Sequence, residues 1–334
     1  MLLKDFEHDL ALAALNELWR EWTALGVAGS VAPSRNLVID PEALLAATMT
    51  LGRRDPRLFD EVIDWLTVNG DLINLSRLKR IMRANDSNIG NRAFAAISQF
   101  MAGHANENER WATAIPSRTA TPEIFFQDEW GEPLPGPRNP DAAFKQFGIL
   151  REKVRLRKLS QPFSPNGQGP LLLQLRALFG IGSRCEILCL LATHVSISVT
   201  EAALLTAYAP RTIHEVLSDM ARAGAIVTQS HGKEIRYSLK PGAFGPLLPK
   251  SLNFPPSLAI LSAIGSVYET AQECRQKETT PAVAVALLRR KVDSAAKTLA
   301  RSGIPTALAD SVASPPVEFL VTLRAQLRQL IAQL

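Results

Sequence analysis

The chain has 334 residues, 46% of them hydrophobic and 21% charged, which is globular composition with room for two or three cores. A net charge of +5 is compatible with a polyanionic partner without requiring one. Three cysteines exclude a disulfide framework and point to a reducing, cytoplasmic compartment. No stretch has the ~20 apolar residues of a membrane span, and the first residues lack the pattern of a secretory signal.

Leu3, Phe6, Leu10, Leu15, Leu18 and Trp22 predict an amphipathic helix over Leu3–Leu25, ended by Gly26 and Gly29. Asp40-Pro41 and Asp55-Pro56 each place a capping aspartate before a proline suited to the first helical position. They predict helices Pro41–Leu51 and Pro56–Val68. Further helices are expected over Asn74–Ala84 and Asn91–Ala102, completing an N-terminal helical domain of residues 1–112.

Residues 113–170 hold nine prolines and read as an extended connector crossing the surface, with one short helix near Pro140–Phe147. The tail, within a C-terminal helical domain of 246–334, predicts helices Ser257–Gln276, Pro281–Ser302 and Val317–Leu334.

Residues 171–245 carry the densest local signals. Ser183-Arg-Cys-Glu186 and Ser198-Val-Thr-Glu201 both fit a capping box, with serine at the cap and glutamate three later. The second opens a short helix ending near Tyr208. Pro210 then starts a third helix, Pro210–Ala223, with Ile213, Val216, Leu217 and Met220 on one stripe. Gly224 follows as a left-handed cap. Two β-prone runs, 225–230 and 235–239, flank His231-Gly-Lys-Glu234 as a hairpin.

This order, over about residues 183–240, resembles the bacterial winged helix-turn-helix regulators of the MarR and ArsR groups. The expected fold class is therefore mainly α and multi-domain, containing a winged helix-turn-helix with a small hairpin wing. The resemblance implies that Pro210–Ala223 is a recognition helix entering the major groove. Its candidate DNA contacts are Arg211, Thr212, His214, Glu215 and Ser218, with Lys233 and Arg236 on the wing. The expected function is a sequence-specific double-stranded DNA-binding regulator, a dimeric repressor reading half-sites about 34 Å apart. Residues 171–240 hold seven Lys/Arg against five Asp/Glu, a modest surplus. The alternative is an antitoxin-like or adaptor protein whose winged helix grips a protein partner.

Other constellations each have two readings. Arg77, Arg80 and Arg83 on one acid-free helix could make a second helix-turn-helix that grips phosphate, or a solvated face. Arg151, Lys153, Arg155, Arg157 and Lys158 could form a phosphate-contacting arm or an edge strand. Cys185 and Cys189 share a helical face as a sensor's thiols would, or as core residues do. Asp60, Glu61 and Asp64 read as acids answering a helix dipole. Leu320, Leu323, Leu327, Leu330 and Leu334 form a short a/d seam for a homodimer, or for packing on their own chain. No phosphate loop, nucleophile elbow or zinc-protease motif occurs, so neither an enzyme nor a cofactor is expected.

Overall fold

The computed structural model describes residues 2–29, 36–104, 108–112, 121–232, 234–249 and 251–334. The protein is mainly helical, with two small sheets. Its first helices are α1 (Leu3–Ala24), α2 (Pro41–Leu51), α3 (Pro56–Asn69), α4 (Leu75–Asn85), α5 (Asn88–His104) and α6 (Asn108–Ala112). The predicted caps are in place: Asp40 accepts from the Ala43 amide at 3.1 Å and Asp55 from that of Leu58 at 2.9 Å. Short 3₁₀ turns, 52–54 and 70–72, continue α2 and α3.

Next come β1 (Glu123–Ile124), α7 (Ala142–Lys145) and β2 (Ile149–Leu150), with β1 and β2 paired in parallel. The second unit runs through α8 (Leu171–Phe179), α9 (Ser183–Thr193), β3 (Ile197–Ser198), α10 (Val199–Thr206), α11 (Pro210–Arg222), β4 (Ile226–His231) and β5 (Glu234–Leu239). Its antiparallel sheet has the order β3-β5-β4. The chain closes with α12 (Ser257–Gln276), α13 (Pro281–Arg301), α14 (Leu308–Ala313) and α15 (Pro316–Ile331).

Two hydrophobic cores organise these elements. The larger draws on both ends of the chain, from Phe6, Trp22 and Trp65 to Leu288, Phe319 and Leu334. Helix α12 packs against α1 and α2, and α15 lies along α1. The tail of 246–334 is therefore not a core apart from the N-terminal helices: the two share one. A tail of three amphipathic helices buries its apolar stripes on whatever apolar face is nearest, here the N-terminal helices. The Trp22 indole N–H donates to Thr48 and that of Trp65 to the Leu25 carbonyl, at 2.9 and 2.8 Å, so these large side chains bury no unmet donor.

The leucine seam joins the same core. Leu323, Leu327, Leu330 and Leu334 are all buried against their own chain. Of its two readings the seam therefore takes packing on its own chain, with Leu320 alone half-buried.

The connector is also more than a surface crossing. Its segment 113–120 lies outside the described residues, but Phe125, Phe144, Phe147 and Ile149 are buried in the larger core. The acids of α3 hold it there. Asp60 pairs with Arg151 at 2.6 Å, and Glu61 with Arg157 at 2.6 Å. The Asp64 carboxylate accepts from the backbone amides of Lys158, Leu159 and Ser160. Asp60 and Glu61 thus meet arginine side chains, and Asp64 satisfies a strandless stretch of backbone. Arg151 is itself buried between Phe126 and Phe144, so it is no phosphate arm.

The smaller core is nearly contiguous in sequence. It gathers Leu171, Leu172 and Leu175 of α8, most of the apolar side chains of α9, then Ile213, Leu217, Met220, Ile226 and Tyr237. Val38 and Phe254 close its base, where the Val38 amide donates to the Asn253 carbonyl at 2.7 Å.

Candidate nucleic-acid interface

Helix α11 is the most amphipathic surface element of the smaller unit. Ile213, Leu217 and Met220 point into the core, which leaves Arg211, His214, Glu215, Ser218, Asp219 and Arg222 exposed and Thr212 half-buried. Pro210 occupies its first position, and Gly224 beyond its end takes φ +71, a backbone conformation that glycine adopts without strain. The turn before it needs Ala207 at φ +57. The outward face contains no exposed large apolar side chain among the described residues.

The charges on this face are internally matched. Arg211, with 90% of its side chain exposed, pairs with Glu215 at 2.9 Å. Arg222 pairs with Asp219 at 2.6 Å. Such exposed pairs contribute ~0–1 kcal/mol, so an incoming phosphate can displace the acid at small cost.

On the adjoining hairpin, β4 and β5 pair in register from Ile226↔Leu239 to His231↔Glu234. Lys233, expected at the tip, lies outside the described residues. Arg236 is only 22% exposed in its side chain and is held by Glu201 at 2.9 Å and Glu234 at 3.2 Å. It also donates to the Ser196 hydroxyl and carbonyl. It straps β5 to the start of α10, which leaves only part of the side chain open to a DNA contact. Its own pKa is raised, first by the hydrogen bonds to Glu201.

The start of α10 carries the reciprocal capping box. The Ser198 hydroxyl accepts from the Glu201 amide at 3.3 Å, and the Ser198 amide donates to the Glu201 carboxylate at 2.8 Å. Against its burial, those bonds and Arg236 leave the Glu201 pKa lowered. The other predicted box does not form. Gly182 is the cap of α9, Ser183 is already helical, and Glu186 faces the interior.

Glu186 belongs to a buried ionic cluster that joins the two cores. Arg77 donates to Asp40 and Glu42, both contacts through Nη1 at 2.6 Å, and through Nε to the Thr206 carbonyl at 2.7 Å. Arg176 donates to Glu42 at 2.7 Å and to Glu186 at 2.6 Å. The Tyr208 hydroxyl donates to Glu186 at 3.2 Å and accepts from the Asn74 side chain at 2.8 Å. Burial alone would lower the Arg77 and Arg176 pKa values, but their carboxylate partners raise both. Burial likewise pushes Asp40 up, and Arg77 more than reverses it.

Arg77 therefore cannot touch DNA; its side chain has no exposed surface. The basic face of α4 is divided by this packing. Arg77 faces inward, while Arg80 and Arg83 are exposed. Arg80 donates to the Ala207 carbonyl at 2.6 Å, three residues ahead of α11, so it sits beside the candidate surface.

Sequence reading did not find this cluster. Asp40 and Glu186 were legible only as capping residues, and Glu42 and Arg176 were single charges inside apolar helices. That misplacement was the available signal: a charge on an otherwise apolar face is either exposed or paired.

Cys185 and Cys189 lie in the smaller core without a disulfide. Burial, then Glu186, pushes the Cys185 thiol up to about 12, and burial likewise raises Cys189 well above the ordinary thiol value. Among the described residues no cluster of three His, Cys, Asp or Glu side chains could hold a metal ion. No described helix is long and apolar enough to cross a membrane. Comparison of the chain with protein-family models, with curated proteins and with solved structures found no match.

Proposed function

We propose that residues 183–239 form a winged helix-turn-helix and that the protein is a sequence-specific double-stranded DNA-binding regulator, acting as a repressor. The carrying observation is the polar, outward face of α11, free of large apolar side chains and flanked by the β4–β5 hairpin. The strand order β3-β5-β4 around three helices supports the same reading. In it, Arg211 and Thr212 address base edges from the start of the helix, and His214 and Ser218 follow one turn on. Arg80 and Arg83 approach phosphate at its flank. Dimerisation on two half-sites belongs to this proposal, through a surface other than the buried α15 seam.

A second reading, a protein-binding adaptor, is favoured by one observation. The α8–α9 turn exposes Leu178, Phe179 and Ile181 on the same unit. Such a cluster suits a protein contact better than a phosphate backbone.

Titration of labelled duplex from the gene's own promoter region, over a range of salt, separates the two. The DNA reading expects specific binding whose log affinity falls with log salt by about 0.9 per phosphate contact. Arg211→Ala should relax its specificity. Absence of duplex binding at low salt would falsify it, and capture of a partner lost on Leu178→Glu would replace it.

A further inference from the structure

We infer that the groove between α12 and α13 binds a small amphipathic anion, with its apolar part against α10 and its charge at Arg290 and Lys291. Two cavities lie end to end along this helix pair. The first, about 340 Å³, has apolar walls from Ile81 of α4, Leu204 and Leu205 of α10, and Leu258 and Ala259 of α12. Ser262, Ser266 and Thr298 give it hydroxyls. The second, about 570 Å³, is lined by Lys277, Arg290, Lys291 and Lys297 against the acids Glu273 and Asp293. Lys291 and Ser294 border both. The groove from residue 258 to 277 of α12 spans about 28 Å at the helical rise.

The charge arithmetic decides which end takes the anion. Lys277 pairs with Glu273 at 3.2 Å and Lys297 with Asp293 at 2.6 Å. Arg290 and Lys291 are exposed and form no ion pair among the described residues. Lys291 borders the apolar cavity and Arg290 lines only the charged one beside it, so the unpaired positive charge stands where the two cavities meet. The one acid lining that cavity, Asp86, sits on α4's side and disfavours the opposite orientation. The first cavity lies in the size range of small-ligand pockets, ~300–1,000 Å³, and at a junction between packed units, where such pockets concentrate.

The location has a consequence for the smaller unit. Leu204, Leu205 and Ala207 line the cavity, and Ala207 leads through its left-handed turn into α11. A ligand filling it would brace the α10–α11 turn. In the DNA-binding reading, which this consequence rests on, that makes the ligand an effector; the binding site itself stands without it.

The test uses the full chain and sodium decanoate below its micellar concentration, followed by calorimetry. One saturable site is expected. Decanol, which has the tail alone, and inorganic phosphate, which has the charge alone, should bind at least about tenfold more weakly. The surface variant Arg290→Ala/Lys291→Ala should weaken decanoate at least about tenfold, and Ser262→Trp should block it. Hydrogen exchange over residues 204–211 should slow when decanoate binds. No saturable binding, phosphate binding as tightly as decanoate, an unaffected double variant, or unchanged exchange over 204–211 would each overturn the assignment. None of these readouts involves DNA, so a failure of the DNA reading remains a separate result.

Discussion

The two cores are built on opposite plans. The larger joins Phe6 near one end to Leu334 at the other, so its apolar helices find partners hundreds of residues away. The smaller closes almost entirely within residues 171–254. At their junction lies a buried set of carboxylates and guanidinium groups. The difference teaches where specificity of arrangement resides. Apolar faces tolerate many packings of similar volume, whereas a buried charge is stable only opposite its own partner. The ionic cluster thus fixes how the unit bearing α11 sits on the helical body.

The sharpest way to break that picture is to remove one member of the cluster. Arg77→Met leaves Asp40 and Glu42 buried and short of a cation, and should destabilise the protein by about 3–5 kcal/mol in denaturant titration. A loss below about 1 kcal/mol would show that the junction is not held by this cluster. Next, Leu327→Ala should cost about 2–5 kcal/mol through the cavity it leaves in the larger core. Sedimentation should show the same association state as the parent chain, because the seam is internal.

A third prediction concerns Glu21, whose two carboxylate oxygens are buried without a hydrogen-bond partner among the described residues. Burial first, then Glu17 and Asp40, raise its pKa well above the ordinary 4.5. Between that value and the raised one the folded chain holds a proton that the unfolded chain has lost. Stability should therefore fall as pH rises above 4.5 toward the raised value. Glu21→Gln should reduce this slope, leaving the part from Glu269 and Asp60, which burial also raises, and the separate acid loss at Asp40, whose pKa is lowered from 3.8, below pH 3.8. Identical pH profiles for parent and variant would contradict it.

The smaller unit invites finer tests. Ser198→Ala removes one half of the capping box and should cost about 0.5–2 kcal/mol, concentrated in the smaller unit's hydrogen-exchange protection. Arg211→Ala should change stability by less than about 0.5 kcal/mol while lowering specific duplex affinity by about 1–3 kcal/mol. A stability loss as large as that of Arg77→Met would make Arg211 structural instead.

How much of this was legible follows from the range of each interaction. The Asp-Pro starts of α2 and α3, the stripe of α11 and the Gly224 cap were readable because the backbone groups concerned lie within a few residues. The capping box at Ser183 misled for an equally local reason. Serine and glutamate had the right spacing, but Arg176 claimed Glu186 for the interior, and Gly182 took the cap. Among the candidate contacts, Arg211, His214, Glu215 and Ser218 are exposed on one helix, Arg77 is internal and Arg236 is a strap. Arg77 and Arg80 are three residues apart on a single helix, and only the neighbours of α4 distinguish them.

By itself the sequence determined most of the long helices, the Asp40, Asp55 and Ser198 caps, and the order of helices and hairpin from α9 to β5 apart from the short β3, since periodicity and capping act over one or two turns. Only the tertiary structure decided that the tail completes the N-terminal core, that the prolines' segment is clamped by Asp60, Glu61 and Asp64, and which arginines meet water. Those outcomes depend on pairings across tens to hundreds of residues. A buried ion or an apolar stripe states in sequence that it needs a partner, but not which one.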